Sequence, residues 1–224
     1  MTMEIEFLGH SGFILTGGEA RVAVDPFLEG NPVAKKKRAD VRCDYIALTH
    51  GHSDHMGDAQ PIAKANNATV VAAWEICQFL GEKGVKCEPG NPGGRIQTAF
   101  GWVAFTQAFH SSSFEGRYMG QPCGLVIHFA KDNFTFHHCG DTALFSDLKL
   151  IGDLYNPDVS AIPVGDRFTM GPEQARMAAE MIRPKVAIPV HWGTFDALTS
   201  DISAFKPQGV EVRVMKPGET WKAR

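Results

Sequence analysis

The chain has 224 residues, 44% hydrophobic and 21% charged, with a formal net charge of −3. That composition is ordinary for a globular protein, and its mild acidity withholds the general attraction to nucleic acid or anionic membrane that a basic surface provides. No apolar run approaches the ~18 residues a membrane span needs, and the start of the chain lacks the charged-then-apolar layout of a signal peptide, so a cytoplasmic protein without stable membrane insertion is expected.

Alternating or short apolar runs predict strands at Glu4–Leu8, Gly12–Thr16 and Arg21–Val24, with Gly17-Gly18 punctuating an early hairpin. The only basic run, Lys35-Lys36-Lys37-Arg38, reads as a solvated loop, with a phosphate-attracting rim near the site as the alternative. A strand at Tyr45–Thr49 comes next. Asp58 is placed to cap a helix running to about Asn66, with Pro61 tolerated in its first turn. Thr69–Ala72 reads as a strand, and Ala73, Ile76, Cys77 and Leu80 share one stripe of a second helix. Asn91-Pro92-Gly93-Gly94 is a tight loop. Strands follow at Trp102–Ala108, Gly124–Phe129 and Phe134–His138, the last two joined by a turn over 130–133. After a strand at Val159–Pro163, Pro172 opens a third helix, with Glu173 near the positive end of its dipole and Ala175, Ala178, Ala179 and Ile182 on one stripe. A strand at Val186–Val190, a fourth helix over about Ser200–Phe205 and a strand at Val210–Met215 complete the order. Strands with interspersed helices favour an α/β (α+β) chain of helix-covered sheets, one domain over 1–224, above an all-β sandwich. Spacing alone leaves the packing of the sheets open.

One loop concentrates chemistry. Thr49-His50-Gly51-His52-Ser53-Asp54-His55 carries three imidazoles and a carboxylate within six residues, His50 to His55. Neutral imidazole is the commonest protein ligand for zinc, and a carboxylate adds the negative charge a divalent cation wants. In an extended loop, residues two apart point the same way, so His50 and His52 can grip one ion while Asp54 and His55 face a second. The five cysteines, Cys43, Cys77, Cys87, Cys123 and Cys139, are scattered with no C-x-x-C pair; they suggest reduced thiols, neither a disulfide framework nor a cysteine zinc site.

His110, Asp141 and His191 each stand where a predicted strand runs out into a loop, the usual address of catalytic groups on α/β scaffolds. His10, between Gly9 and Ser11, either caps a turn or faces the site. His128 and His137 lie within strands and read as structural, and His138 fills no missing role. The loop Asp166-Arg167-Phe168-Thr169-Met170 either lines a pocket or leads into a helix, and Trp192 and Thr194 flank His191 at the expected pocket mouth.

In this order the residues resemble the metallo-β-lactamase superfamily. His50 to His55 matches its H-x-H-x-D-H signature, with Asp25 closing an early strand, a lone His110, a bridging Asp141 and a last His191. Leu8-Gly9-His10-Ser11-Gly12-Phe13, Cys139-Gly140-Asp141-Thr142, Phe168-Thr169-Met170-Gly171-Pro172 and His191-Trp192-Gly193-Thr194 are similar to the UPF0173 group of small metal-dependent hydrolases. The resemblance implies a four-layer αβ/βα sandwich of two mixed sheets covered by helices. It implies two divalent ions, zinc by default with Mn2+ or Fe as alternatives: one held by His50, His52 and His110, the other by Asp54, His55 and His191, with Asp141 bridging. Asp25 would accept from an imidazole outside the metal shell and fix its tautomer. The implied reaction uses a metal-bridging hydroxide to cleave an ester, lactone, thioester or phosphodiester bond of a small molecule. Asp141, His10 and Asp54 are its candidate catalytic residues, with His10 as an acid for the leaving group.

Two other functions are compatible with the same residues. An iron-dependent oxygen or persulfide enzyme on the same scaffold is disfavoured by His52, where flavodiiron relatives generally carry glutamate. A non-catalytic metal-binding relative would be expected to have lost ligands, and none is lost. The expected partner is a small-molecule substrate and no nucleic acid; a homo-oligomer is left open.

Overall fold

The computed structural model describes residues 3–18 and 20–223. In chain order the first sheet contains β1 (Glu4–Gly9), β2 (Gly12–Gly17), β3 (Ala20–Val24), β4 (Tyr45–Ala47), β5 (Thr69–Ala73) and β6 (Cys87–Gly90). Between them lie α1 (Ser53–Met56), α2 (Ala59–Asn66) and α3 (Trp74–Glu82). The chain then crosses to a second sheet through β7 (Arg95–Thr98) and β8 (Gly101–Gln107), makes a small hairpin of β9 (Ser113–Phe114) and β10 (Arg117–Tyr118), and returns with β11 (Cys123–Phe129) and β12 (Phe134–His138). The remaining elements are α4 (Leu148–Tyr155), β13 (Val159–Pro163), α5 (Pro172–Ile182), β14 (Val186–Val190), β15 (Glu211–Val212) and β16 (Thr220–Lys222).

The two seven-stranded sheets run β16-β1-β2-β3-β4-β5-β6 and β15-β14-β13-β12-β11-β8-β7. Both are mixed: β3 to β6 and β12 to β15 pair parallel, the other neighbours antiparallel. Strand periodicity builds the layers. Val71 faces the space between the sheets with Phe13, Phe105 and Phe136, while its neighbours Val70 and Ala72 pack outward against Ile62, Ile76 and Leu80 of α2 and α3. On the far side Ala161 and Ile188 point inward, and Ile162 and Ala187 meet Ile151, Ala178 and Ile182 of α4 and α5. Strands covered on both faces read as continuous apolar runs. The result is helix, sheet, sheet, helix. No helix among the described residues is long and apolar enough to cross a membrane.

Several local expectations change. Ser200–Phe205 is not helical. Asp201 N–H donates to Thr199 Oγ1 and Ser203 N–H to Asp201 Oδ1, so short side chains capture the amides a helix would need, and Pro207 follows. The last predicted strand shrinks to Glu211–Val212. Asp58 occupies the N-cap position of α2, but its carboxylate turns away and accepts from the amides of Leu28 and Glu29. Two members of the basic run form ion pairs, Lys36 with Glu6 at 2.9 Å and Arg38 with Glu29 at 2.9 Å. Helix α4 has no counterpart in the sequence reading. It is eight residues long and carries Gly152, which weakens a helical pattern; a Cβ there would collide with the Ile182 carbonyl, so glycine is what lets α4 lie against α5.

Candidate metal centre

Six site residues follow strand ends at one edge of the paired sheets. His10 follows β1, Asp25 β3, His50 β4, His110 β8, Asp141 β12 and His191 β14. Three of them leave their strands through left-handed backbone: His10 at φ 58°, Asp25 at 41° and His191 at 59°. Each costs about 1–3 kcal/mol for a non-glycine residue, a strain the surrounding structure must hold. The His191 amide donates to the His10 carbonyl at 2.8 Å, tying two of these corners together.

The signature loop is extended only through His52, which caps the short helix α1. Gly51 lets it pass close to the second sheet's loops. A Cβ there would strike Met119, and the Gly51 amide donates to Ser112 Oγ at 3.0 Å. The helical turn then brings Asp54 and His55 together with His10 and His191, while the His50 and His55 rings stay 4.1 Å apart.

Hydroxyls and carboxylates outside the cluster decide which ring nitrogens face inward. The Asp25 carboxylate accepts from Thr49 N–H at 2.9 Å, from the Thr49 hydroxyl at 2.6 Å and from His55 Nδ1 at 2.7 Å. His50 Nδ1 lies 3.0 Å from Thr49 Oγ1, leaving Nε2 to point in. His52 is turned the other way: Nε2 meets Ser111 Oγ at 3.2 Å, and Nδ1 lies 3.0 Å from His50 Nε2. His138 braces the floor, donating through Nε2 to the Ser11 carbonyl and accepting the Gly140 amide at Nδ1. His137 is buried against Ser160, and His128 stacks on Trp102.

The ligand-type atoms fall into three overlapping groups, each within 4.8 Å: His50, His52 and His110; His10, Asp54, His55 and His191; and His50, His55 and Asp141. Asp141 lies between the first two. Its carboxylate is 4.0 Å from His50 Nε2, 3.4 Å from His55 Nε2, 3.6 Å from His110 Nε2 and 3.0 Å from His191 Nε2. His55 Nε2 and Asp141 Oδ1 are buried without a hydrogen-bond partner although they face one another. Orphaned buried polar atoms are costly, and a shared cation would satisfy both. The donor set of imidazoles and carboxylates fits zinc, manganese or iron.

Charge points the same way. Burial lowers the His50, His52 and His110 pKa values, keeping their lone pairs free at neutral pH. Burial also opposes charge on His191, but Asp141 and Asp54 override it and push the imidazole up to about 9. Burial likewise disfavours charged Asp54 and Asp141, yet the surrounding imidazoles hold both carboxyls well below the usual range. Positive charge is what this pocket favours.

His10 is buried beside the cluster with both ring nitrogens engaged, Nε2 with Asp54 Oδ2 at 3.0 Å and Nδ1 with Thr194 Oγ1 at 3.0 Å. It does not line the cavity of about 440 Å3 that opens over His52, Asp54, His110, Asp141 and His191. That geometry favours orienting Asp54 over donating a proton to a leaving group. Phe168 lines the cavity, whereas Met170 is core. Trp192 is not at the mouth: its indole N–H donates to the Pro189 carbonyl and its ring packs with the α4–α5 cluster. The Thr49–Asp25, Ser111–His52 and Thr194–His10 contacts carried no sequence signal, since loop hydroxyls are common and these partners lie 24, 59 and 184 residues away.

The sequence matches the Beta-lactamase superfamily domain over residues 4–191. It is 44% identical over 225 residues to a UPF0173 metal-dependent hydrolase of Geobacillus sp. strain WCH70, covering 97% of this chain and 98% of that one. The solved structure of Igni18, described as a novel metallo hydrolase from the archaeon Ignicoccus hospitalis, aligns with a TM-score of 0.89 at 34% identity, covering 99% of this chain and 98% of that one. The metallo-beta-lactamase fold protein YhfI from Bacillus subtilis aligns at 0.75 with 16% identity over 99% and 100% of the two chains, a likeness of fold alone.

Proposed function

The chain belongs to the beta-lactamase superfamily and, within it, to the UPF0173 metal-dependent hydrolases, and from that premise we propose that it hydrolyses an ester, lactone, thioester or phosphodiester bond of a small molecule at a dinuclear centre. His50, His52 and His110 would hold one divalent ion, Asp54, His55 and His191 the other, and Asp141 would bridge them. Zinc is the metal proposed, with manganese or iron as alternatives. Bound ions would supply Lewis-acid polarisation of the electrophile and a nucleophile at neutral pH.

The protein's own groups prepare that chemistry. Asp25 and Thr49 hold His55 and His50 in the tautomers that leave Nε2 free. Asp141, unpartnered at Oδ1, is placed to orient the attacking water and take up its proton. His10 and Thr194 fix the Asp54 carboxylate. The observation that carries the proposal is the Asp141 carboxylate, within 4.0 Å of imidazole nitrogens from both ligand groups.

The test is metal quantification on the purified protein, followed by turnover of a panel of lactones, thioesters and phosphodiesters. Two equivalents of metal and metal-dependent hydrolysis are expected. One equivalent, or no hydrolysis by the fully loaded protein, would refute the dinuclear reading.

A further inference from the structure

The cavity lining is of two kinds. Beside the candidate imidazoles and carboxylates and Ser111, an apolar wall is formed by Phe168, Phe195, Ala197 and Leu198. Phe168 is 55% exposed and Phe195 40% exposed. Exposed aromatic rings gathered in a concave site are the mark of a ligand surface, because folding alone would have buried them. Neither ring is loosely placed. Phe195 lies 5.6 Å from His10 and 6.4 Å from Phe27 between ring centroids, and its carbonyl accepts the Leu198 amide at 2.9 Å. Phe168 sits in a closed loop in which Asp166 N–H donates to the Met170 carbonyl and Thr169 N–H to that of Asp166.

Charge sharpens the argument. Among the described residues no lysine or arginine lines the cavity. Arg167 lies nearby, its guanidinium 5.4 Å from the Phe168 ring centroid. A phosphodiester is anionic at rest and gains a second charge as it is attacked. Sites built for it commonly add arginine or lysine donors to the metal. A carboxylic ester is neutral at rest, and its single developing charge needs nothing beyond the ion side of the site.

Resting on the hydrolytic reading above, we infer that the substrate is an uncharged carboxylic ester, lactone or thioester with an apolar acyl group seated against Phe168, Phe195 and Leu198. Water adds across the acyl C–O or C–S bond: the acyl carbon gains the hydroxyl, and the departing alcohol or thiol oxygen or sulfur takes the remaining proton. Phe168 and Phe195 then set specificity without touching the reacting atoms.

The experiment compares kcat/KM of the metal-loaded protein for p-nitrophenyl acetate, butyrate and octanoate, which share one leaving group, and for bis-p-nitrophenyl phosphate. Burial of each added methylene predicts a rise of about fourfold until the cavity is filled. In Phe168→Ala/Phe195→Ala the octanoate value should fall about tenfold, while acetate changes little. A flat ester series, or faster turnover of the phosphodiester than of any ester, overturns the inference and leaves the hydrolase intact. If the loaded protein turns over none of these and none of the lactones and thioesters of the wider panel, the hydrolytic reading fails, and the apolar wall is read separately by NMR of the metal-free protein. Octanamide should shift the Phe168 and Phe195 ring signals where acetamide does not. Equal effects of the two amides overturn the assignment of the wall.

Discussion

Asp25 Oδ2 stands 2.7 Å from His55 Nδ1, and that contact decides that Nε2 is the His55 nitrogen facing Asp141. The same carboxylate takes both the amide and the hydroxyl of Thr49, which in turn lies against His50 Nδ1. One buried acid therefore orients an imidazole in each proposed ligand set. Asp25→Asn keeps a residue that tolerates the left-handed backbone but exchanges an acceptor for an amide. Chelator competition should show metal affinity reduced about 10–100-fold. Unchanged metal retention would mean that the Asp25 contact does not organise the centre.

Asp141→Ala tests the bridge. Turnover should be abolished and metal content should drop by at least one equivalent, with the circular dichroism spectrum kept, because the side chain supports ligands and not the packed layers. Full activity with two ions retained would refute the bridging role.

The candidate cluster was legible because three imidazoles and a carboxylate crowd into His50 to His55 and the remaining candidates each stand in a recognisable segment. What holds them was not. Thr49 is tied to Asp25, Ser111 to His52 and Thr194 to His10, partners 24, 59 and 184 residues away that only the fold brings close. Helix-covered sheets were legible in apolar runs such as Val186–Val190, while their four-layer packing was implied only by the family resemblance; α4 hid behind Gly152, whose value lies in an interhelical contact. The false helix at Ser200–Phe205 shows the reverse: apolar spacing was present, and local Thr199 and Asp201 side chains outcompeted it.

For His10 the two roles differ in what they titrate. His10→Asn, again compatible with positive φ, should lower metal occupancy and cut kcat/KM about tenfold by freeing Asp54. The basic limb of the pH–rate profile should persist. Loss of that limb with metal content unchanged would restore His10 as the leaving-group acid.

Gly152→Ala sets two effects against each other. Helix propensity alone favours alanine by up to about 1 kcal/mol. The new methyl would meet the Ile182 backbone, and overpacking costs about 1–3 kcal/mol. The collision should win, lowering the urea midpoint; a raised midpoint would show that α4 can shift freely on α5.

His137 gives a pH dependence that is separate from the candidate metal ligands. Its ring is fully buried, Nδ1 lies 3.2 Å from Ser160 Oγ and Nε2 has no partner. Burial, helped by neighbouring His138, pushes its pKa from 6.5 down to about 3. Between those values the unfolded chain binds a proton that the folded one refuses, so stability falls as pH drops below about 6.5 and levels off near 3. Replacing His137 by Leu removes that proton, while the metal-site histidines titrate alike in both proteins and cancel in the difference. Urea denaturation at pH 7 and pH 4.5 should show the wild type losing about 2–3 kcal/mol more than His137→Leu across the interval. Equal losses would mean that the folded protein admits a charge at His137 and that its burial is not enforced.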